Sequence, residues 1–419
     1  MSWRARCLVA CLPLVLVAVP LVDAADWPEL RGGPQNLGSD GGRGGGTGAL
    51  LWRHDLAAAI GSGAAVMEDR VFVASQDGAL HALDAASGCL AWSAEVASGA
   101  LRQSPIATDD HVYIGSSEGR LVALAAGDGR EVWDHDAGDA IEGTPAVAGG
   151  RLFAPSLDGS LIALDAYTGD LLWRVDLDAP LGGSAAAADG LVIVGADDGF
   201  VRAFDQVTGD EAWSYKAGQQ VPIRSKPAML DGRLFVGDDD GWLHGVEPGS
   251  PVAPAKHLRD QAIRGAPVVT EDVVFVAGPD GLLANLQPGF LQKRWEIDLG
   301  AGVPGSLALA GTTVYAGLDD ASVVAVDSPG RSVLWRHHTS ATVTGSPTVA
   351  DGRLFVGDAS GAFVALDAGA GVAEAQGDGA PGRCAAAEGD EESPGFAFGL
   401  AGMLGLLMLG GWVARRRRI

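Results

Sequence analysis

The residues best suited to chemistry are three arginines in one shared sequence context. A Gly-Ser-Pro-like segment recurs along the chain, and the residues just before it are Ser62, Arg102, Glu142, Gly182, Arg224, Arg264, Pro304 and Thr344. Lys226 lies two places beyond Arg224. A guanidinium offers a planar fork of donors that fits a carboxylate or phosphate in a bidentate way. If the fold brings these segments to one rim, Arg102, Arg224, Arg264 and Lys226 form an anion-binding mouth with Glu142 beside them. The plainer reading is that the arginines pair with Glu142 and nearby backbone carbonyls and hold the rim together.

Other chemistry is harder to defend. The turns Asp238-Asp239-Asp240-Gly241 and Asp197-Asp198-Gly199 lack the spaced ligands and closing Glu of a calcium loop, so they read as hairpin turns with a solvated acidic face. His81, His111, His135, His244, His257, His337 and His338 show no metal-ligand spacing. His81 and His244 occupy equivalent places in a repeat, which points to the repeat and not to a site. Serines sit in turns and strand starts, and no Ser-His-Asp constellation emerges. No catalytic residue and no metal ligand is expected.

The elements that must position the rim come from a repeat of about 40 residues. Tryptophans fall at Trp52, Trp92, Trp133, Trp173, Trp213, Trp295 and Trp335, spaced 40, 41, 40, 40, 82 and 40 apart. Eight apolar-aromatic strand cores recur independently, from Val71-Phe72-Val73 to Leu354-Phe355-Val356. Each is followed by a turn such as Asp158-Gly159, read as a two-residue type I′ hairpin. With one strand before and one after, each unit holds four strands, the content of one propeller blade. The sequence therefore predicts an all-β, eight-bladed β-propeller of four-stranded blades over residues 49–376. Residues 49–56 match a last strand without its predecessors, and the final unit lacks one. The N-terminal strand is thus expected to close the ring and remove the free edges. Residues 245–258 lack the Trp and carry three prolines, so their strand is an edge strand at best.

Composition limits the partners. Net charge is −24, and the two ends carry six of the 29 basic residues but only one of the 53 acidic ones. The middle is more acidic still, which argues against nucleic acid. Lysine occurs only at 216, 226, 256 and 293, as a high-salt habitat or a GC-rich genome would each produce. The cysteines (Cys7, Cys11, Cys89, Cys384) form no disulfide framework or metal signature, and Cys89 is expected to be a small buried apolar residue.

The ends read as export and anchoring signals. Residues 1–24 have the basic start, apolar run and small residues of a signal peptide. Residues 25–48 read as an N-terminal segment and Gly-rich linker, and 377–393 as an acidic disordered stalk. Residues 394–419 combine an apolar run from Phe396 to Ala414 with Arg415 to Arg418, long enough for a single anchor with its arginines inside.

Three units carry Ala-x-Asp-x-x-x-Gly-x-x-x-Trp intact: Ala82-Asp84-Gly88-Trp92, Ala163-Asp165-Gly169-Trp173 and Ala203-Asp205-Gly209-Trp213. This resembles the tryptophan docking motif of the pyrroloquinoline-quinone-like (PQQ-like) repeat propellers. The resemblance implies that Trp92, Trp133, Trp173, Trp213, Trp295 and Trp335 pack between blades, over turns shaped by Asp84, Asp165 and Asp205. The repeat serves quinoprotein dehydrogenases and also non-catalytic propellers such as the outer-membrane assembly lipoprotein. The dehydrogenases have an adjacent cysteine pair and a calcium cage with amide ligands. This chain has no adjacent cysteines and only two asparagines, Asn36 and Asn285. The reading is a non-enzymatic, monomeric scaffold without a cofactor, binding envelope or secreted proteins or acidic ligands. A PQQ-binding redox protein or sensor is the alternative, and a carbohydrate-active enzyme stays open. Ser393-Pro394-Gly395-Phe396, the apolar run and the arginines resemble a PGF-type surface sorting signal, placing the protein at the cell surface. A Cys-helix-Arg signal with Cys384 is the second possibility.

Overall fold

The computed structural model describes residues 44–218, 220–248 and 253–369. The expected signal peptide, stalk and C-terminal anchor, with most of the linker, lie outside them. Among the described residues no helix is long and apolar enough to cross a membrane.

The strands form eight four-stranded antiparallel sheets, one per repeat. Numbered along the chain, blades 1 to 7 cover residues 65–95, 106–136, 146–176, 186–216, 228–257, 268–298 and 308–338. Blade 8 takes three strands from residues 348–367 and its outermost from Leu50–Asp55, which pairs with Ala362–Asp367. The ring is closed by the N-terminal strand. The fold is an all-β, eight-bladed propeller.

Strand cores alternate less than a half-exposed sheet would. In blade 3, Leu152 to Pro155 and Ser160 to Leu164 are buried throughout, because each blade is covered on both faces by its neighbours. The outer strand of the same blade, Leu171–Asp176, alternates exposed and half-buried. The turn between the two middle strands differs from the expected type I′. Only Gly159 has positive φ (88°), and its N–H donates to the Ser156 carbonyl at 3.1 Å. This is a type I turn followed by a left-handed glycine, the three-residue solution that also fits strand twist. Asp158 takes part through its side chain, accepting from Ser160 N–H at 2.9 Å.

Neighbouring blades are joined near the axis by hydroxyl groups. Ser104 Oγ accepts Gly63 N–H at 2.9 Å, Ser184 Oγ accepts Thr144 N–H at 2.9 Å, and Ser346 Oγ accepts Ser306 N–H at 2.9 Å. These hydroxyls belong to the recurrent Gly-Ser-Pro-like segment. Its glycine lets backbones approach closely: a Cβ on Gly143 would meet the Gly183 carbonyl oxygen at 2.0 Å.

Towards the perimeter, each regular tryptophan spans to the next blade. Trp92 Nε1 donates to the Ala126 carbonyl at 3.0 Å, and Trp133 Nε1 to that of Ala166 at 3.0 Å. Their rings lie on Gly129 and Gly169, where an added Cβ would meet ring carbons at 2.5 and 2.7 Å. Trp173 makes the same bond to Gln206 at 3.2 Å. Trp295 and Trp335 pack on Phe275 and Tyr315 of their own blades, each at 5.9 Å. The Nε1 of Trp213 and of Trp335 has no hydrogen-bond partner among the described residues. Asp84, Asp165 and Asp205 organise the turns beneath: Asp165 accepts Tyr167 and Thr168 N–H at 2.9 and 3.0 Å, and Asp205 does the same with Val207 and Thr208. Asp84 accepts Ser87 N–H at 2.7 Å.

In blade 8 this turn is assembled from both ends of the propeller. Asp367 accepts Thr47 N–H at 2.8 Å and the Thr47 hydroxyl at 2.7 Å. Gly48 has positive φ (67°) and lies beneath the Trp335 ring. Thr47-Gly48-x-x-x-Trp52 is thus the second half of a docking motif whose first half is Asp367. Burial alone would raise the Asp367 carboxyl pKa, but the Thr47 hydroxyl and the Thr47 and Gly369 N–H groups outweigh it and hold it below the usual range. A carboxylate depressed in the folded state adds stability that is full above its unfolded pKa of about 3.9 and is lost as pH falls through the folded value. Asp367→Asn should therefore lower the melting temperature at pH 7 and narrow its gap to wild type in melts below about pH 4. An equal gap at both pH values would sink this account.

Cys89 is half-buried and disulfide-bonded, which corrects the expectation of a small buried apolar residue.

Candidate functional site

The mouth of the ring is built from the loops entering the innermost strands and the turns between the two middle strands. These are stitched together by backbone: Asp197 N–H donates to the Pro180 carbonyl at 3.1 Å and Asp239 N–H to that of Pro222 at 3.0 Å. The same stitch recurs in other blades, for instance Asp319 to Gly302 at 3.0 Å. Residues from both segment types therefore meet, although they lie 15 to 27 positions apart in sequence.

Arg224 and Arg264 meet there. Arg224 grips Asp197 through Nε and Nη2 at 2.9 and 2.6 Å, and its Nη1 reaches Asp239 at 3.3 Å. Arg264 holds the same Asp239 through Nε and Nη2 at 3.1 and 3.2 Å. Asp197 and Asp239 thus form a chain with two guanidinium groups. Donation to Asp197, with the nearby negative charges of Asp197 and Asp239, raises the Arg224 pKa against partial desolvation. Exposed pairs of this kind add about 0–1 kcal/mol each, and removing one partner costs more where the remaining carboxylate is mostly covered, as Asp239 is.

The other rim residues stand apart. Arg102 is exposed, three blades from Arg224, and makes no ion pair among the described residues. Glu142 is half-buried and likewise enters no ion pair among them. Lys226 replaces the hydroxyl residue that elsewhere joins blades and is only 3 % exposed, so its ammonium does not face the rim solvent. The partners of the arginines are therefore Asp197 and Asp239, not Glu142 and carbonyls.

The solvated reading of the Asp-rich turns is also corrected. Asp238 is 2 % exposed and accepts N–H groups of Asp240 and Trp242 at 3.0 and 2.9 Å. The signal for these partners was present: acids recur at one offset in blades 4, 5 and 7 (Asp197, Asp239, Asp319). Only the ring shows that this offset faces the arginines.

A quinone and its calcium would need the disulfide and amide ligands of the dehydrogenases at this mouth. Cys89 instead lies beside the outer strand of blade 1. Asn285 lies buried in blade 6 at the alanine position of the docking motif, opposite Trp295. Asn36 is outside the described residues. Among the described residues no group of three His, Cys, Asp or Glu is placed to hold a metal ion. Among the described residues the mouth holds neither of those dehydrogenase features.

Fold and stitching define a β-propeller of PQQ-like repeats. The chain belongs to the family described as outer membrane protein assembly factor BamB, whose model matches residues 44–141, 117–289 and 291–387. Among solved structures, BamB from Moraxella catarrhalis is similar at 20 % identity and a TM-score of 0.65, covering 76 % of this chain and 97 % of that one. The computationally designed protein Ika8 gives 20 % and 0.68 over 77 % and 100 %. Quinohemoprotein alcohol dehydrogenase from Comamonas testosteroni gives 14 % and 0.71 over 82 % and 80 %. At these identities the likeness shows the fold. No curated protein matches the sequence. Membership in this family supports a protein-interaction scaffold in general.

Proposed function

We propose that the protein is a non-enzymatic docking scaffold of the cell envelope, exported and held at the surface by its C-terminal segment. The observation that carries this reading is the mouth itself. The arginines best placed to receive an anionic cofactor, Arg224 and Arg264, are occupied by Asp197 and Asp239. Extracting them for a ligand would leave two carboxylates unpaired in a partly dry place, a cost set against any binding gain. The rim then acts as a brace, and partners meet the exposed turns and outer strands. The family's printed role in outer-membrane protein assembly supports an envelope setting. The signal-like start and the apolar, Arg-ended tail support export and a single anchor, with PGF-type processing as the finer form.

The test is a titration with pyrroloquinoline quinone, with and without calcium, followed by tryptophan fluorescence. Nine tryptophans within residues 25–390 provide the signal. No saturable quenching is expected up to ~100 μM, a range that covers typical specific sites. Saturable quenching that disappears in an Arg102/Arg224/Arg264 triple alanine variant would move the protein to the quinone-binding class. Protease added to intact cells should release propeller fragments; full protection would remove the surface placement.

A further inference from the structure

Beside the mouth, on the same blade 5 turn, a cleft of about 540 Å³ opens between blades 4 and 5, lined by Tyr215, Val221, Asp238, Asp240, Trp242 and His244, with Gly218 and Ala255 at its edges. A volume of this size suits a small molecule. Three features of its chemistry agree. Trp242 is 40 % exposed, a large apolar ring left open to solvent. His257 packs against it with ring centroids 5.2 Å apart, tilted by 52°. The Asp240 carboxylate is exposed at the same wall.

Behind these lies a buried relay. Asp238 Oδ1 already accepts two backbone N–H groups, and Oδ2 lies 2.9 Å from His244 Nε2. In the neutral imidazole an acceptor-only carboxylate takes the Nε2 proton in a hydrogen bond, and Nδ1 is left as an acceptor. The Tyr215 hydroxyl lies 3.4 Å from that nitrogen, and by donating there it keeps its oxygen as an acceptor towards the cleft. Burial, then the Asp238 charge, raise the Tyr215 pKa, keeping the phenol protonated. The cleft therefore presents acceptors, a negative charge and a π face.

Blade 4 shows what the same strand position does elsewhere. Phe200 stands where Trp242 stands in blade 5, and its ring carries the Arg202 guanidinium at 4.7 Å and the Lys216 ammonium at 5.4 Å. Over Trp242 no Lys or Arg is seated among the described residues. Strand alternation sends Lys216 and Lys256 to the faces opposite Tyr215 and Ala255, so neither reaches the cleft wall.

We infer that this cleft binds a small organic cation, an ammonium or guanidinium on an apolar body, with its charge over Trp242 and beside Asp240 and its donors on Tyr215. Cation–π attraction is strongest on tryptophan and grows where water is excluded.

The probe is phenethylammonium, titrated calorimetrically into the full chain at pH 8. One saturable site with Kd on the order of 1 mM or tighter is expected for so small a ligand. Trp242→Ala should weaken it about tenfold or more, while Trp242→Phe keeps most of it. Asp240→Asn should weaken it several-fold, and that loss should shrink in added salt. Both positions are exposed, so these variants are expected to fold, checked by unchanged melting curves. Equal binding of the neutral 2-phenylethanol would overturn the inference, because an apolar pocket alone would then suffice. So would glucose binding in place of the cation, no heat at all, or undiminished affinity in Trp242→Ala.

Discussion

Trp52→Ala is expected to destabilise the propeller by about 3–5 kcal/mol, more than the same change at Trp92. Both rings are largely buried, at 2 and 9 % exposed, so the removed surface is comparable. The difference lies in topology. Trp52 packs between Phe355 and Phe363, at 5.9 and 5.7 Å, and donates through Nε1 to the Ala85 carbonyl at 3.0 Å. It fastens blade 8 to blade 1 and, among the described residues, holds the one strand that joins the two ends of the ring. Losing Trp92 leaves the chain continuous on both sides of the defect. Losing Trp52 lets six residues fray and exposes the edge of Ala362–Asp367. Urea denaturation measures this: a lower midpoint with a shallower slope for Trp52→Ala, and a lower midpoint with an unchanged slope for Trp92→Ala. Deleting residues 49–56 should abolish the cooperative transition. If the deletion melts like the wild type, the ring is not closed this way.

The second large effect is expected at Leu291. Blade 5 has no docking tryptophan; its place is taken by Pro254, whose carbonyl accepts Gly245 N–H at 2.8 Å. The facing residue of blade 6 would be the docking glycine, by analogy with Gly88, whose N–H bonds to the Asp84 carbonyl. That residue is Leu291, bonded in the same way to the Gln287 carbonyl at 2.9 Å and held at φ 53°. Its side chain is fully buried in a cluster with Phe235, Leu243 and Leu286, filling the space a tryptophan ring takes elsewhere. A left-handed leucine costs about 1 kcal/mol or more, which the burial offsets. Leu291→Ala keeps the backbone cost and opens a cavity, so it should lose about 2–5 kcal/mol. Leu291→Gly opens the same cavity and relieves the backbone, and should lose less than Ala. The reverse order would show that the backbone there is not strained, and a loss under about 1 kcal/mol in Leu291→Ala would show that the side chain does not fill the gap. Conversely, Gly169→Leu should prevent docking, because even a Cβ there meets Trp133 at 2.7 Å.

Sequence alone determined the ring. A period of about 40, a recurring Trp and eight strand cores fix blade number and closure, because each blade repeats one local pattern and buries it against a copy of itself. It also located the Pro-rich edge strand, found as Ala255–His257, three exposed residues. What it did not determine are the relations between repeats. The hole beside Pro254 and the leucine that fills it are 37 residues apart. Asp367 and Thr47 complete one turn from opposite ends of the ring. The arginines find Asp197 and Asp239, 27 and 25 residues away, because the mouth stacks one blade's turn against a loop with no periodic signature. Local pattern dictates a blade, but which side chains face one another across blades depends on ring geometry, and only the tertiary structure sets that.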